Sequence, residues 1–189
     1  MIRFGVFGGT FDPPHNAHYS MSKKACELYK LDRLIIVPTF RSPMQDRKPI
    51  ASPHQRVEML KLLIKKEPDW IIDTGEIDAD IAVPTIQTLT RLQSKYQPDE
   101  LYLIIGADQG SQFHLWQSAD EIIGMAKVVC FARKSYTISP KFSERMLKVP
   151  YQIGVSSSTI RELAKTNDEE IPLTAPDVSD YIRLNQLYK

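Results

Sequence analysis

The stretch GGTFDPPHNAH, residues 8–18, follows directly on the short apolar run IRFGVF near the start of the sequence. Glycines at the end of a predicted strand let the backbone approach a ligand without a Cβ in the way, and a proline pair fixes the entry to a helix. A strand that leads through glycines into a helix presents free N–H groups and the positive end of the helix to an anion. The stretch therefore predicts a phosphate site, with an ordinary turn as the alternative for the glycine pair alone.

Two histidines in this stretch, His15 and His18, are three residues apart at the start of the predicted helix. At that spacing they share one helix face, and both imidazoles can donate hydrogen bonds to the oxygens of one phosphate. A zinc site is disfavoured, because HNAH lacks the HExxH pattern and the two cysteines, Cys26 and Cys130, lack CxxC spacing. We expect no metal held by protein ligands, and we expect both cysteines to be buried thiols.

The rest of the chain alternates short apolar runs with segments of helical periodicity. The runs that we predict to be strands are residues 2–7, 33–38, 70–73, 101–106 and 127–132. We predict helices from about residue 15 and over 53–66, 85–96, 118–125, 158–165 and 176–187, with irregular segments over 39–53 and about 134–150. This alternation predicts an α/β fold in one domain, residues 1–189, with a parallel sheet flanked by helices and a small C-terminal helical part.

Composition limits the range of partners. The 24 Lys and Arg residues nearly balance the 23 Asp and Glu residues, so no basic excess predicts a nucleic acid or a membrane as partner. The sequence starts without a leader-like apolar segment, from which we expect a cytoplasmic protein. A homo-oligomer is compatible with the sequence, which does not indicate an oligomeric state.

A second string, GVSSSTIRE over residues 154–162, again places hydroxyl groups at the start of a predicted helix. Ser156, Ser157 and Ser158 with their N–H groups can hold a terminal phosphate, and Arg161, about one turn further on, supplies a permanent positive charge. A plain capping box formed by Thr159 and Glu162 is the alternative. Together the two strings predict a polyphosphate held from two sides.

A dinucleotide-dependent oxidoreductase is disfavoured by the same sequence. The glycines are spaced as Gly5, Gly8 and Gly9 instead of G-x-G-x-x-G, and the second predicted strand ends in Val37 and Pro38 without an acidic residue for a ribose.

With GGTFDPPHNAH and SSSTIRE in place, the sequence resembles the nucleotidyltransferase superfamily, whose motifs are of the HxGH and SSxxxR types. Its length, the form GGTFDPPH and the segment IIGADQGSQFHLW make it most similar to the bacterial nicotinate-nucleotide adenylyltransferases. The resemblance implies a Rossmann-like nucleotidyltransferase fold and transfer of AMP from ATP to nicotinate mononucleotide with Mg²⁺, giving pyrophosphate and the dinucleotide precursor of NAD. Nicotinamide mononucleotide as acceptor, or dual specificity, is the alternative; a phosphopantetheine adenylyltransferase and a non-catalytic nucleotide-binding regulator are disfavoured.

The resemblance also implies roles for single residues. His15, His18 and Arg161 would be catalytic, and the ATP-binding residues would be Gly8, Gly9, Thr10, Phe11, Asp108, Ser156, Ser157 and Ser158. The acceptor-binding residues would be Trp116, Thr85, Arg47 and Lys48. Asp108 would lie near the ribose, with a helix cap as the alternative, and Trp116 would stack on the pyridine ring, with a core aromatic as the alternative. The sequence departs from the family pattern at Ala17, where a glycine is usual, and in the acceptor-side segments SPMQ and PTIQT.

Overall fold

The computed structural model describes residues 1–41, 48–133, 136–152, 154–166 and 170–189. The chain divides into two compact units, each built from three segments. The first unit comprises residues 1–8, 22–36 and 83–152, and the second comprises residues 9–21, 37–82 and 153–189.

Six strands form one sheet, and all five of the strands that the sequence predicts are among them. The strands are β1 (Arg3–Gly9), β2 (Arg33–Pro38), β3 (Trp70–Ile72), β4 (Glu100–Gly106), β5 (Lys127–Ala132) and β6 (Leu147–Pro150). Their order in the sheet is β3-β2-β1-β4-β5-β6, and β1 pairs with β4, β4 with β5 and β5 with β6 in parallel. The predicted α/β fold with a parallel sheet is therefore confirmed.

The described helices separate these strands along the chain. They are α1 (Asn16–Tyr29), α2 (Pro53–Ile64), α3 (Gly75–Asp78), α4 (Thr85–Tyr96), α5 (Ala107–Gln112), α6 (Ala119–Met125), α7 (Pro140–Ser143), α8 (Ser157–Thr166) and α9 (Pro176–Leu184), with a 3-10 turn at Phe113–Leu115. None of the described helices is long and apolar enough to cross a membrane. The last two, α8 and α9, are the predicted C-terminal helices.

The first unit contains the point at which the strand order of the sheet reverses, between β1 and β4. Phe7 lies opposite Ile104 in the parallel pair, so Gly8 and Gly106, near the carboxyl ends of the two strands, lie at the same edge of the sheet. Ligands of open parallel α/β sheets bind outside the carboxyl ends of the strands at such a reversal.

The second unit contains α2 and the C-terminal helices. Ser52 caps α2 in a full capping box: its hydroxyl accepts from the Gln55 N–H at 3.2 Å, and the Gln55 side chain accepts from the Ser52 N–H at 2.9 Å. Helix α2 contacts α9, and Lys65, just after α2, pairs with Asp177 in the first turn of α9. The start of α2 is therefore fixed locally, and its far end is joined to the C-terminal part of the chain.

The structure corrects two expectations from the sequence. The segment predicted as irregular over about 134–150 contains α7 and β6. The four residues of β6 are mostly exposed and give little apolar signal. The thiol of Cys130 is buried as expected, and burial raises its pKa to about 11, whereas Cys26 is only half-buried.

Helix α5 packs tightly on β5 at Gly110. A Cβ added there would lie 2.5 Å from Cys130 Sγ, and both residues are buried. We therefore expect Gly110→Ala to lower the free energy of unfolding by about 1–3 kcal/mol, the usual cost of overpacking a core. Urea denaturation followed by circular dichroism measures this change.

Gly124, in the exposed part of α6, is the matched control, because a Cβ at that position meets no atom within 4 Å. Gly124→Ala should raise stability by up to about 1 kcal/mol, the difference between glycine and alanine in a helix. Adding Cys130→Ala to Gly110→Ala should restore part of the loss. Equal stability of the Gly110→Ala and Gly124→Ala variants would contradict the packing argument.

Candidate active site

The loop from Gly9 to Pro14 connects β1 to α1 and begins the second unit. Phe11 adopts a positive φ of 51°, and its ring is buried at 2 % exposure. A Cβ on Gly9 would come within 3.0 Å of that ring. Gly9 therefore makes room for the Phe11 ring, and its role in binding ATP stays a prediction.

The carboxylate of Asp12 is buried at 5 % exposure and is the main anchor of this loop. Its Oδ2 accepts from the Ile50 N–H at 2.8 Å, and its Oδ1 accepts from the Ala51 N–H at 3.0 Å and the Tyr188 hydroxyl at 2.9 Å. Burial, and then the neighbouring Asp12 charge, raise the pKa of Tyr188 far above its ordinary value. The Tyr188 hydroxyl therefore stays protonated and donates to Asp12.

Beneath the same loop lies Arg56, whose side chain is fully buried at 0 % exposure. Its Nη1 donates to the carbonyl oxygens of Thr10 at 2.6 Å and Thr39 at 2.8 Å, and its Nη2 donates to the carbonyl of Phe40 at 3.3 Å. Burial lowers the pKa of Arg56, and the nearby carboxylates of Asp12 and Glu76 act in the opposite direction. A guanidinium remains charged in proteins, so a cation is fixed under the loop.

The two histidines of the first string lie against each other. The ring of His15 stacks on the ring of His18 with centroids 3.6 Å apart and an interplanar angle of 16°, which confirms their predicted proximity. The backbone N–H of His15 donates to His18 Nδ1 at 3.2 Å, and the Phe11 ring packs edge-on against His18. Because Nδ1 accepts this hydrogen bond, the neutral His18 ring carries its proton on Nε2.

Two of the N–H groups at the start of α1 have partners inside the protein. The N–H of His15 donates to His18, and the N–H of Asn16 donates to the carbonyl of Leu173 at 3.1 Å. The expectation of free N–H groups at this helix end is therefore wrong for these two positions. The imidazoles, rather than the first N–H groups, are the chemically distinctive part of the turn.

The second string forms the start of α8. Ser156 precedes the helix, and its hydroxyl accepts from the Thr159 N–H at 3.2 Å. The cap of this helix is therefore Ser156, and the alternative capping box headed by Thr159 is wrong. Ser156 and Ser158 are exposed and Ser157 is half-buried.

The two strings meet at the loop before α1. Ser157 Oγ donates to the carbonyl of Pro13 at 2.9 Å, and Arg161 Nη1 donates to the carbonyl of Asp12 at 2.7 Å. Arg161 Nη2 also donates to Ser158 Oγ at 2.9 Å. Both ends of the Arg161 fork are thus held in place, and this half-buried guanidinium lies beside the loop that leads into the histidine pair.

The first unit carries the other candidate ATP residues. A Cβ on Gly8 would meet no atom within 4 Å, so the backbone there faces open space, and its role in lining ATP stays a prediction. Asp108 lies exposed in the first turn of α5, and its Oδ1 lies only 2.7 Å from where a Cβ on Gly106 would stand. Its neighbour Gly106 is the N-cap of α5, so Asp108 itself is not the helix cap.

The candidate acceptor residues belong to both units. Trp116 is half-buried and packs on the core residue Phe113 at 5.1 Å between ring centroids, while Thr85 is the half-buried first residue of α4 in the same unit. In the second unit Lys48 is exposed. Arg47 lies outside the described residues.

Sequence reasoning missed the three side chains that organise this site: Asp12, Arg56 and Tyr188. A signal for Arg56 was present, because it stands four residues before Leu60 on the apolar stripe of α2, where a charged side chain must be buried. In the described part of the chain, no three His, Cys, Asp or Glu residues cluster in a way that could hold a metal ion.

The sequence matches the model of the cytidylyltransferase-like family over residues 6–163. It is 31% identical over 189 residues to the nicotinate-nucleotide adenylyltransferase of Bacillus subtilis strain 168, with complete coverage of both chains. The probable nicotinate-nucleotide adenylyltransferase of Chlorobaculum parvum is 32% identical over 201 residues, again with complete coverage of both chains.

Solved structures show the same fold. The nicotinic acid mononucleotide adenylyltransferase of Plasmodium falciparum complexed with NaAD superposes with a TM-score of 0.81 at 17% identity, covering 100% of this chain and 98% of that one. The same enzyme complexed with APC gives a TM-score of 0.76 at 19% identity, again over 100% and 98% of the two chains. At these identities the likeness concerns the fold alone, and it is the full-length relatives and the family match that show that the chain belongs to the cytidylyltransferase-like family and, within it, to the nicotinate-nucleotide adenylyltransferases.

Proposed function

We propose that the protein transfers AMP from ATP to the 5′-phosphate of nicotinate mononucleotide, releasing pyrophosphate and forming nicotinate adenine dinucleotide. The full-length relationship to the nicotinate-nucleotide adenylyltransferases supports this activity. The structural observation that carries it is the junction of the two phosphate-binding strings, in which Arg161 and Ser157 bond the loop that leads into the His15–His18 stack.

The reaction needs no protein nucleophile. An oxygen of the acceptor phosphate attacks the α-phosphorus of ATP, a new P–O bond forms, and the bond between the α-phosphorus and the bridging oxygen breaks as pyrophosphate leaves. The protein has to align the two phosphates and offset the charge that develops on the leaving group. We infer that Arg161 and the histidine pair supply donors and positive charge for that purpose.

His18 is suited to a donor role. With Nδ1 engaged by the His15 N–H, its ring proton is on Nε2, and the stack with His15 and the edge contact with Phe11 fix the plane of the ring. A preoriented donor does not have to reorganise as charge builds up on a phosphate oxygen. His18 is therefore our proposed donor to the triphosphate in the transition state.

Nucleotidyl transfer from triphosphates generally uses a divalent metal, and we propose Mg²⁺, which binds substrate phosphates through few protein ligands. Among the described residues, no cluster of three ligating side chains offers a protein-held site. The donor set thus does not fit a metal bound by the protein alone, and we assign no step to it.

Several roles rest on the family relationship alone. These are ribose binding by Asp108, nucleotide lining by the backbone of residues 8–11, and pyridine stacking by Trp116. A single functional domain over residues 1–189 and a cytoplasmic location likewise stay predictions from the sequence.

The proposal is tested by pyrophosphate release from ATP and Mg²⁺ with a panel of acceptors. The panel distinguishes the possible acceptors of AMP and contains nicotinate mononucleotide, nicotinamide mononucleotide and phosphopantetheine. A reaction with ATP alone measures background hydrolysis. We expect the highest kcat/KM with nicotinate mononucleotide. Binding of ATP without transfer to any acceptor would instead identify a nucleotide-binding regulator.

His18→Ala should lower kcat by roughly 10²–10³, the effect of losing one preoriented donor in a transition state. The acceptor KM should change much less, because the proposed contact strengthens only as charge develops. Steady-state kinetics with both substrates varied separates the two effects.

His18→Asn is the matched control for this prediction. The Asn side chain can accept from the His15 N–H in place of Nδ1 but has no group at the position of Nε2. It should keep the local fold and still lose as much kcat as His18→Ala. A normal kcat with only a raised acceptor KM would refute the role of His18.

Arg161→Lys should weaken ATP binding and lower kcat, although the charge is retained. The guanidinium bonds the Asp12 carbonyl and the Ser158 hydroxyl with two different nitrogens, and a single ammonium cannot reproduce that fork. Ser158→Ala, which removes only one of the two partners, is the control and should have the smaller effect. Wild-type kinetics for Arg161→Lys would mean that Arg161 is a surface residue of α8 with no role in ATP binding or catalysis.

The enzyme should prefer nicotinate over nicotinamide mononucleotide by about tenfold or more, because a site that offers only donors leaves the carboxamide N–H₂ group unpaired at a cost of ~1–3 kcal/mol. The ratio of kcat/KM for the two acceptors measures this preference. Equal efficiency would instead identify a dual-specificity enzyme.

The cation that reads the carboxylate is predicted to be Arg41, Arg47 or Lys48. Arg41 and Lys48 are exposed, and the Arg41 guanidinium lies 5.9 Å from the centre of the Phe40 ring. Replacing the responsible cation with Met should narrow the acceptor ratio, whereas Trp116→Ala should weaken both acceptors alike.

A further inference from the structure

The residues between β2 and α2 are linked to the loop that precedes α1 at both of their described ends, through Arg56 of α2 at the near end and directly at the far end. At the near end, Arg56 donates to the carbonyls of Thr39 and Phe40 and to that of Thr10 in the loop. At the far end, the Asp12 carboxylate accepts from Ile50 and Ala51. Lys48, an acceptor-side candidate, is two residues before Ile50.

Asp12 also contacts the ATP-side candidate Arg161, through a different group. Its carbonyl oxygen accepts from Arg161 Nη1 at 2.7 Å, while its carboxylate holds Ile50, Ala51 and the Tyr188 hydroxyl. The main chain and the side chain of one residue therefore serve the two candidate binding regions within the second unit.

We propose that Asp12, locked by the Tyr188 hydroxyl, is a positioning residue that couples the segment carrying Lys48 to the guanidinium of Arg161. The inference rests on the proposed function, because it takes Arg161 as the triphosphate ligand and Lys48 as an acceptor-side residue. Neither Asp12 nor Tyr188 touches the reacting atoms in this proposal.

The burial of the pair explains why the tyrosine matters. Asp12 and Tyr188 are exposed by only 5 % and 4 %, so water has little access to replace a lost donor. With the hydroxyl present, Oδ1 has two donors, the Tyr188 hydroxyl and the Ala51 N–H, and Oδ2 has the Ile50 N–H. Without it, each oxygen keeps one backbone donor from the same segment, and the bond that ties Asp12 to the end of the chain is lost, which loosens the Asp12 side chain and the carbonyl that Arg161 bonds.

The first test is Tyr188→Phe, which removes one oxygen and keeps the ring. The matched control is Tyr19→Phe in the same unit, where a tyrosine hydroxyl also donates to a carboxylate, that of Glu67. Both variants should lose some thermal stability. Only Tyr188→Phe should lower kcat/KM for ATP and for the acceptor, by about tenfold, within the range that small misplacements of catalytic groups produce.

A double-mutant cycle distinguishes positioning from a general loss of structure. If Tyr188 acts through Arg161, its replacement in an Arg161→Lys background should change kcat/KM for ATP by less than about twofold, since coupled residues are not additive. A second cycle combines Asp12→Asn with Arg161→Lys. In Asp12→Asn the carboxamide nitrogen, a donor, must face the backbone N–H of Ile50 or Ala51, which is also a donor. Additive losses in both cycles would overturn the proposal.

ATP binding measured by calorimetry without acceptor keeps this test separate from the proposed function. A wild-type protein that binds ATP but transfers AMP to no acceptor refutes the proposed activity, while weaker ATP binding by Tyr188→Phe than by Tyr19→Phe still supports the Asp12 link to Arg161. An active wild type with identical kinetics and ATP affinity for the two tyrosine variants refutes the positioning role alone. If Tyr188→Phe does not fold, the Asp12→Asn cycle decides.

Discussion

A carboxylate removed from water must find its hydrogen bonds inside the protein, and the Asp12 carboxylate receives its hydrogen bonds from two separate parts of the chain. Its donors come from the segment before α2 and from Tyr188 near the end of the sequence. The buried cation Arg56 lies under the same loop and offsets the negative charge of Asp12. The position of Arg161 depends on this arrangement, because its guanidinium bonds the carbonyl of the same aspartate.

Sequence periodicity predicted most of the fold, and its failures have physical causes. Residues 85–96 and 33–38 match α4 and β2 at both ends, since a proline precedes the helix and ends the strand. By contrast, β6 buries only Val149 of its four residues, so no alternation of apolar residues marks it. Glycines also obscured the start of α5 in the sequence pattern. One of them, Gly110, is buried at a position where a side chain would meet Cys130.

The candidate site was predictable where its chemistry is local. Two histidines three residues apart had to share a helix face, and they stack. Partners that are distant in the sequence were not predictable: Asp12 looks like part of a turn when it is followed by two prolines, and nothing nearby indicates that Tyr188 bonds it. The glycine pair shows the same limit, because Gly9 is needed for the ring of Phe11 while Gly8 faces open space.

The hydrogen bonds that hold the loop before α1 join residues very far apart in the chain. Arg161 bonds Asp12 across 149 positions, Thr174 bonds Pro14 across 160, and Tyr188 bonds Asp12 across 176. The loop-closure entropy of contacts with such separation has to be offset before they stabilise the fold. On a ribosome, where the N-terminal part emerges first, the loop has to wait for α8 and α9 before it can acquire these partners. The loop before α1 is thus synthesised before α8 and α9 and acquires its last hydrogen bonds only after them.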